Sequence, residues 1–444
     1  MREILPPMSA AKKLCRDATF RAGDYRTALH VLRVPCEEGV LCYHTLTGAL
    51  LLLSPEEAAE PKVALRRELI RRRFLVPTDF DEAGYARQIR HVAELMAPRK
   101  SGITSFTIFT TTDCNARCAY CYELGRPRRP MSDTVARDAA AYIDSVREGN
   151  KVKLSWFGGE PLYHRRAIDL ITAQLRARGV PFESGMVTNG YLFDEETVRT
   201  AREEWALKWV QITLDGTEEI YNKTKAFVHR EGSAYQRVLH NIGLLLNAGV
   251  EVRIRLNTNQ QNVEDQHALV EELSQRFCGL NRPKVYSVLL RDFGPLASHP
   301  EAEAEALSAW NSLQRRIMDS GMNGLRYLPR SVQANGCMAD NDNSVTILPD
   351  GRLGKCEHES EELFIGSIYD QKVESEMVQH WKARVEVPEC RSCTFAPACI
   401  RLRLCAWTGD ACTQADRERI RLSVSQMVLN EYRRSCKAGR RKEE

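Results

Sequence analysis

The chain has 444 residues, 43% hydrophobic, 27% charged and 7% aromatic, with 26 Gly and 18 Pro; this composition excludes disordered, collagenous and coiled-coil classes, and the length implies about three domains. The 63 Lys and Arg against 59 Asp and Glu leave a formal charge of +4, too small to mark a nucleic-acid partner; Arg71, Arg72 and Arg73 and the tail Arg440, Arg441 and Lys442 read as solvated helix faces or frayed ends. The most apolar run, GALLLLS at 48–54, falls far short of the roughly 18 residues of a membrane span, and no apolar signal segment opens the chain, so a cytoplasmic protein without a membrane partner is expected.

Residues 1–23 show little apolar periodicity. After them TALHVLRV and VLCYHTLTGALLLL read as strands separated by the turn-prone PCEEG. Ser54 followed by Glu56 and Glu57 has N-cap character, and the helix that follows is interrupted at Pro61 and ends before FLVP. A further amphipathic helix covers 85–96, and PRKSG at 98–102 marks a boundary. From 103 the pattern becomes strands alternating with helices around a parallel sheet. ITSFTIFTT, KVKLSWF, PFESGMVT, LKWVQITL, EVRIRLNT and KVYSVLL are the strands, with helices beginning near Ser132, Tyr163, Asp194, Ala234 and Asn262. Six such units fall short of the eight of a closed barrel, so an α/β fold with an open, partial (β/α)6 barrel is predicted, its chemistry at the carboxyl ends of the strands. A loop and helix over 292–328 follow, then a cysteine-rich region in which SVTILPDGRLGKC reads as a hairpin turning at Pro349, Asp350 and Gly351.

Of the 15 cysteines, Cys15, Cys36, Cys42, Cys278 and Cys436 are isolated and read as small hydrophobes or incidental thiols. The others cluster. TTDCNARCAYCYE places Cys114, Cys118 and Cys121 at C-x3-C-x2-C spacing just after the first barrel strand. Three thiolates so spaced suit three irons of a cubane and leave the fourth without a protein ligand; a structural zinc is the alternative, though it wants a fourth ligand nearby. One βα unit later WFGGEPL brings Gly158, Gly159 and Glu160 to the end of strand two, where two glycines permit close backbone approach and a carboxylate accepts from an ammonium.

These motifs, in this order, resemble the radical S-adenosylmethionine (SAM) enzymes. The resemblance implies that the open iron chelates SAM and that cluster reduction yields a 5′-deoxyadenosyl radical. It implies cofactor contacts from the aromatic Tyr120, from Gly158, Gly159 and Glu160 to the methionine amino group, and from TNG at 188–190, which holds Asn189. TLDG at 213–216, with Thr213 and Asp215, and Arg255 complete the set, with Asn257 beside the arginine on strand five. For the TNG and TLDG elements and for Arg255 a plain turn or cap role stays open.

Cys337, Cys356, Cys390, Cys393, Cys399, Cys405 and Cys412 resemble the seven-cysteine SPASM extension of that family. By this likeness Cys390, Cys393, Cys399 and Cys412 close one auxiliary [4Fe-4S] cluster, and Cys337, Cys356 and Cys405 hold a second whose remaining iron is open to a substrate thiolate. That makes three [4Fe-4S] clusters in all. The pattern departs from the family's at Cys405, which follows a five-residue gap, with Arg403 in the expected place; a zinc ribbon is the alternative. Glu357 stands near the position where sulfatase-maturing relatives carry a base, and it either deprotonates a substrate or bonds a backbone amide.

The strands and helices ahead of the barrel resemble the winged-helix-like RiPP recognition element, which captures the leader of a ribosomally made peptide at a sheet edge; a structural cap over the barrel is the other reading. The expected division is 1–98 peptide-binding, 99–290 radical SAM core, 291–330 helical bridge and 331–444 auxiliary-cluster domain. The expected activity is a thioether crosslink in a precursor peptide, as in sactipeptide and ranthipeptide maturases, with flavodoxin or ferredoxin as electron donor. The alternatives are formylglycine generation in a sulfatase, carbon–carbon crosslinking, or a non-catalytic iron–sulfur or zinc protein.

Overall fold

The computed structural model describes residues 1–7, 21–96, 102–149, 151–229, 231–279, 282–290, 300–322, 324, 328, 332, 337–339, 341–357, 363–370, 375–382, 388–396, 399, 412 and 414–440. Cys15 and Cys405 lie outside the described residues. Packing divides the chain into two units, one of residues 1–98, 327–340 and 382–444, the other of 99–326 and 341–381.

The first unit is built on a four-stranded antiparallel sheet of β1 (Arg2–Leu5), β3 (Val31–Cys36), β4 (Gly39–His44) and β5 (Leu50–Leu53), ordered β1-β5-β4-β3, beside a small pair of β2 (Tyr25–Thr27) and β6 (Leu75–Pro77). Glu37 and Glu38 turn β3 into β4, which pair from Cys36 with Gly39 to Val31 with His44. The stretch read as one strand over 40–53 is two, because the turn before Ala49 doubles β5 back onto β4. Strand β1 carries no periodicity of its own and forms by antiparallel pairing with β5. Ser54 and Glu57 make a reciprocal capping box on the helix Pro55–Ala59, and a second helix, Val63–Arg71, follows Pro61.

The leucine run of β5 is apolar throughout because both faces of the sheet are covered. Leu50 and Leu52, with Leu32, Val34, Leu41 and Tyr43, pack against Leu328, Phe395, Val428 and Tyr432. Leu51 and Leu53, with Val31 and Cys42, pack against Leu69, Phe74 and Val76. The long C-terminal helix Gln414–Arg440 is thus part of the core of the N-terminal sheet. Cys42 is buried there, its thiol pushed up to about 11; Cys36 and Cys436 pack against the first face, while Cys278 of the other unit is exposed.

Fully buried His44, edge-on to Phe74 at 5.4 Å and accepting from the Leu46 amide at 3.3 Å, is held down to about pKa 3 by desolvation and by nearby His30. The unfolded chain protonates this ring near its ordinary value, about 6.5, and the folded chain does not, so stability is full above that pH and is lost as pH falls toward 3. The loss is about 2 kcal/mol between about pH 6.5 and pH 5. Urea midpoints at pH 7.5 and 5 are expected to lie further apart for the wild type than for His44→Asn, which keeps an acceptor for the amide without titrating.

The second unit carries six consecutive parallel strands, β7 (Ser105–Thr111), β8 (Val152–Gly158), β9 (Phe182–Thr188), β10 (Leu207–Leu214), β11 (Glu251–Thr258) and β12 (Lys284–Leu289), in simple sequential order. Buried Val, Ile and Leu alternate along β8, β10 and β11, and the crossover helices begin at side-chain caps from Ser132, Asp194 and Ser233. The sheet does not close. Past β7 it continues with β13 (Ser344–Ile347), parallel to β7, then antiparallel β14 (Arg352–Gly354) and β15 (Gly366–Ser367). The hairpin read at Pro349, Asp350 and Gly351 is therefore an extension of the partial barrel's own sheet. Among the described residues no helix is long and apolar enough to cross a membrane.

Candidate active site

The loop that leaves β7 carries Cys114, Cys118 and Cys121, all partly buried free thiols. Tight turns run through it, the Cys121 amide donating to the Cys118 carbonyl at 3.1 Å and the Leu124 amide to the Cys121 carbonyl at 3.0 Å. Its outer side is tied to the segment after the helix Glu218–Lys225: the Arg117 amide donates to the Lys225 carbonyl at 2.9 Å and the Val228 amide to the Asn115 carbonyl at 2.8 Å. Burial and the neighbouring Glu160 push the Cys114 thiol up to about 12, and burial raises Cys121. A bound iron would deprotonate them outright.

The glycines of the second motif are pinned by the protein's own backbone. A Cβ on Gly158, at φ +120°, would lie 2.1 Å from the Thr111 carbonyl oxygen, and one on Gly159 would lie 2.2 Å from that of Asp113. Close approach is needed here because the end of β8 runs directly beneath the root of the cysteine loop, with the Gly159 amide on the Thr111 carbonyl at 3.0 Å and the Glu160 amide on the Asp113 carbonyl at 2.9 Å.

Glu160 is fully buried. One carboxylate oxygen accepts from the Thr188 hydroxyl at 2.8 Å and the Leu162 amide at 3.1 Å, and the other accepts from the Asn189 amide at 2.7 Å. Desolvation outweighs these donors and pushes its pKa up to about 7. The Asn189 side chain in turn donates to the Asn115 Oδ1 at 2.6 Å and reaches the Cys114 sulfur at 3.8 Å. The ends of β8 and β9 and the cysteine loop thus form one hydrogen-bonded rim.

Tyr120 and Asp215 meet on the other side. The tyrosine hydroxyl donates to Asp215 Oδ1 at 2.7 Å and accepts from Lys225 Nζ at 3.0 Å. Asn262 and Gln266 clamp the neighbouring strand ends, each donating to the carbonyl oxygens of both Asp215 and Asn257. Thr213 sits opposite Arg255 in the β10–β11 register, and Arg255 donates to Asn257 Oδ1 at 2.9 Å. Glu357 is partly buried, desolvation raises its pKa, and its charge is felt by Tyr122 and opposed by Arg255.

The residue set fits an iron–sulfur cluster. Three free thiols stand on one loop, and a cubane takes one thiolate on each of three irons. On the same loop the buried Asn115 Nδ2 has no hydrogen-bond partner among the described residues. Of the auxiliary-cluster cysteines, Cys356 belongs to the barrel unit, and Cys337, Cys390, Cys393, Cys399 and Cys412 to the other. Cys390 and Cys393 stand on successive tight turns, the Cys393 amide donating to the Cys390 carbonyl at 3.3 Å.

Sequence reasoning missed Lys225, Asn115, Asn262 and Gln266. Lys225 lies in the polar string YNKTK, where nothing signals burial. Asn262 and Gln266 lie one turn apart at the start of the helix after β11, a spacing that is the readable signal for a pair acting on the neighbouring strand ends.

A half-open parallel barrel with a three-thiol loop at the carboxyl end of its first strand defines a cluster-bearing α/β enzyme class. Residues 108–273 match the Radical SAM superfamily. The chain is 26% identical over 165 residues to Fe-coproporphyrin III synthase of Methanosarcina barkeri, covering 37% of this chain and 39% of that protein. It is 22% identical over 275 residues to the antilisterial bacteriocin subtilosin biosynthesis protein AlbA of Bacillus subtilis, covering 61% of this chain and 58% of that one. The chain thus spans less than two thirds of the length of either relative. In fold it resembles native anSMEcpe with bound AdoMet and Kp18Cys peptide, with a TM-score of 0.56 and 15% identity over 75% of this chain and 99% of that one.

Proposed function

We propose that the protein is a radical SAM maturase that forms a thioether crosslink in a ribosomally synthesised precursor peptide. The observation that carries the chemical half of this reading is the rim that joins Glu160, Thr188, Asn189 and Cys114, because it puts a buried carboxylate beside the cysteine loop at the strand ends. Cys114, Cys118 and Cys121 would hold a cluster, which when bound would supply the electron for reductive cleavage of SAM. Glu160 offers its carboxylate to the methionine ammonium, Asn189 orients that carboxylate through its amide, and the half-exposed ring of Tyr120 presents an aromatic face. Glu357 takes a proton from the substrate at its carboxylate.

The peptide half rests on the likeness to a bacteriocin biosynthesis protein, on a structural neighbour holding a peptide, and on the antiparallel sheet of the first unit, whose edges suit an extended leader. In this reading 1–98 binds the leader, 291–330 bridges, and Cys337, Cys356, Cys390, Cys393, Cys399, Cys405 and Cys412 hold two further [4Fe-4S] clusters. A flavodoxin or ferredoxin supplies electrons in the cytoplasm.

The test is anaerobic incubation of the reconstituted full chain, SAM and dithionite with synthetic cysteine-bearing peptides, taken from any short open reading frame found beside the gene. The expected product has lost two hydrogens and one alkylatable thiol per crosslink, with one 5′-deoxyadenosine formed for each. Loss of hydrogens with every thiol still alkylatable means carbon–carbon crosslinking. A hydrazide-reactive aldehyde in place of the thiol means formylglycine chemistry, the second reading, which Glu357 favours. Deleting 1–98 is a poor discriminator, since it would strip the helix Gln414–Arg440 of the sheet it packs on.

A further inference from the structure

We propose that Lys225 is a built-in counter-charge of the cysteine loop, a positioning residue that sets the reduction potential of the cluster bound there. The inference rests on the cluster assignment above and names a residue that assignment does not use.

Lys225 ends the helix Glu218–Lys225, and its side chain is 5% exposed. Its ammonium lies 3.1 Å from Asp215 Oδ2 and 3.0 Å from the Tyr120 hydroxyl, with the rings of Tyr120 and Tyr221 at 5.6 and 5.9 Å. A buried ammonium persists only when paired and hydrogen-bonded, and both conditions are met. The backbone is committed to the same place: the next residue, Ala226, takes the left-handed conformation at φ 43° and ψ 59°, which a residue with a Cβ adopts at a cost. That turn is what lets residues 225 and 228 grip 117 and 115 of the cysteine loop.

The Lys225 ammonium donates to the hydroxyl of Tyr120, which stands between Cys118 and Cys121, and the carbonyl of the same lysine holds the amide of Arg117, next to Cys118. A cluster with three thiolates gains one more negative charge on reduction. A fixed cation beside it stabilises the reduced state more than the oxidised one and makes the potential less negative. Removing the cation shifts it the other way, and removing the cation's own counter-ion exposes the thiolates to more positive charge.

The test is an EPR-monitored redox titration of the signal that changes on addition of SAM, in reconstituted full-length wild type, Lys225→Met, Lys225→Arg and Asp215→Asn, with iron measured in each. The expected result is a more negative midpoint for Lys225→Met, a midpoint near wild type for Lys225→Arg, and a less negative one for Asp215→Asn, at equal iron. A purely structural role predicts no such opposition of sign. An unmoved midpoint in Lys225→Met overturns the proposal. If that variant fails to hold iron, a midpoint in Asp215→Asn that is unmoved or more negative overturns it, as does loss of iron in the charge-keeping Lys225→Arg. Absence of any SAM-responsive signal in wild type counts instead against the cluster assignment itself.

Discussion

Replacing Cys114, Cys118 and Cys121 together by alanine is expected to lower the iron of the anaerobically reconstituted protein from about twelve to about eight per chain and to bring 5′-deoxyadenosine formation down to background. The fold is expected to survive. The loop's backbone is held by bonds that involve no sulfur, from Arg117 to Lys225 and from Val228 to Asn115, and its base by the Thr112 amide on Arg129 and the Met131 amide on Thr110. The three side chains are only partly buried, so their truncation leaves no large cavity. The two quantities separate the parts of the reading. Unchanged iron, or continued SAM cleavage, removes these cysteines from the chemistry. About four irons in wild type, with zinc present, retains the radical SAM domain and removes both auxiliary clusters, and with them the docking place for a substrate thiolate.

The barrel was legible because its elements obey local rules. Strands β8, β10 and β11 alternate buried Val, Ile and Leu with more exposed polar residues, and Ser132, Asp194 and Ser233 mark helix starts through bonds that span three residues. The cysteine loop and the GGE element were legible by spacing, yet the reason for the glycines was not. They make room for the Thr111 and Asp113 carbonyls, contacts between strand ends about fifty residues apart that no local pattern encodes. Strand β1 and the packing of Val428 and Tyr432 on the N-terminal sheet are hidden for the same reason, since both depend on partners hundreds of residues away or on pairing alone. Lys225 was invisible because a charged residue among polar ones reads as solvated until the fold buries it.

Glu160→Gln should weaken SAM binding by about ten- to a hundred-fold, the worth of roughly 1.5–3 kcal/mol for a hydrogen bond to a charged group, without loss of iron. All three bonds to the carboxylate come from donors, the Thr188 hydroxyl and the Leu162 and Asn189 amides. A carboxamide offers one acceptor oxygen and one NH2. Whichever way it turns, the NH2 faces a backbone N–H, either that of Asn189 or that of Leu162, and one buried donor goes unmet. The negative charge that would receive the methionine ammonium is lost as well. Burial holds the wild-type carboxyl near pKa 7, so the anion forms as pH rises through that value and affinity should strengthen between pH 6 and 8, while the glutamine variant should show no such slope. Equilibrium dialysis with SAM across that range measures both effects. An affinity within about twofold of wild type, with the pH slope intact, would assign Glu160 to holding β8 against β9 and leave the ammonium to another acceptor.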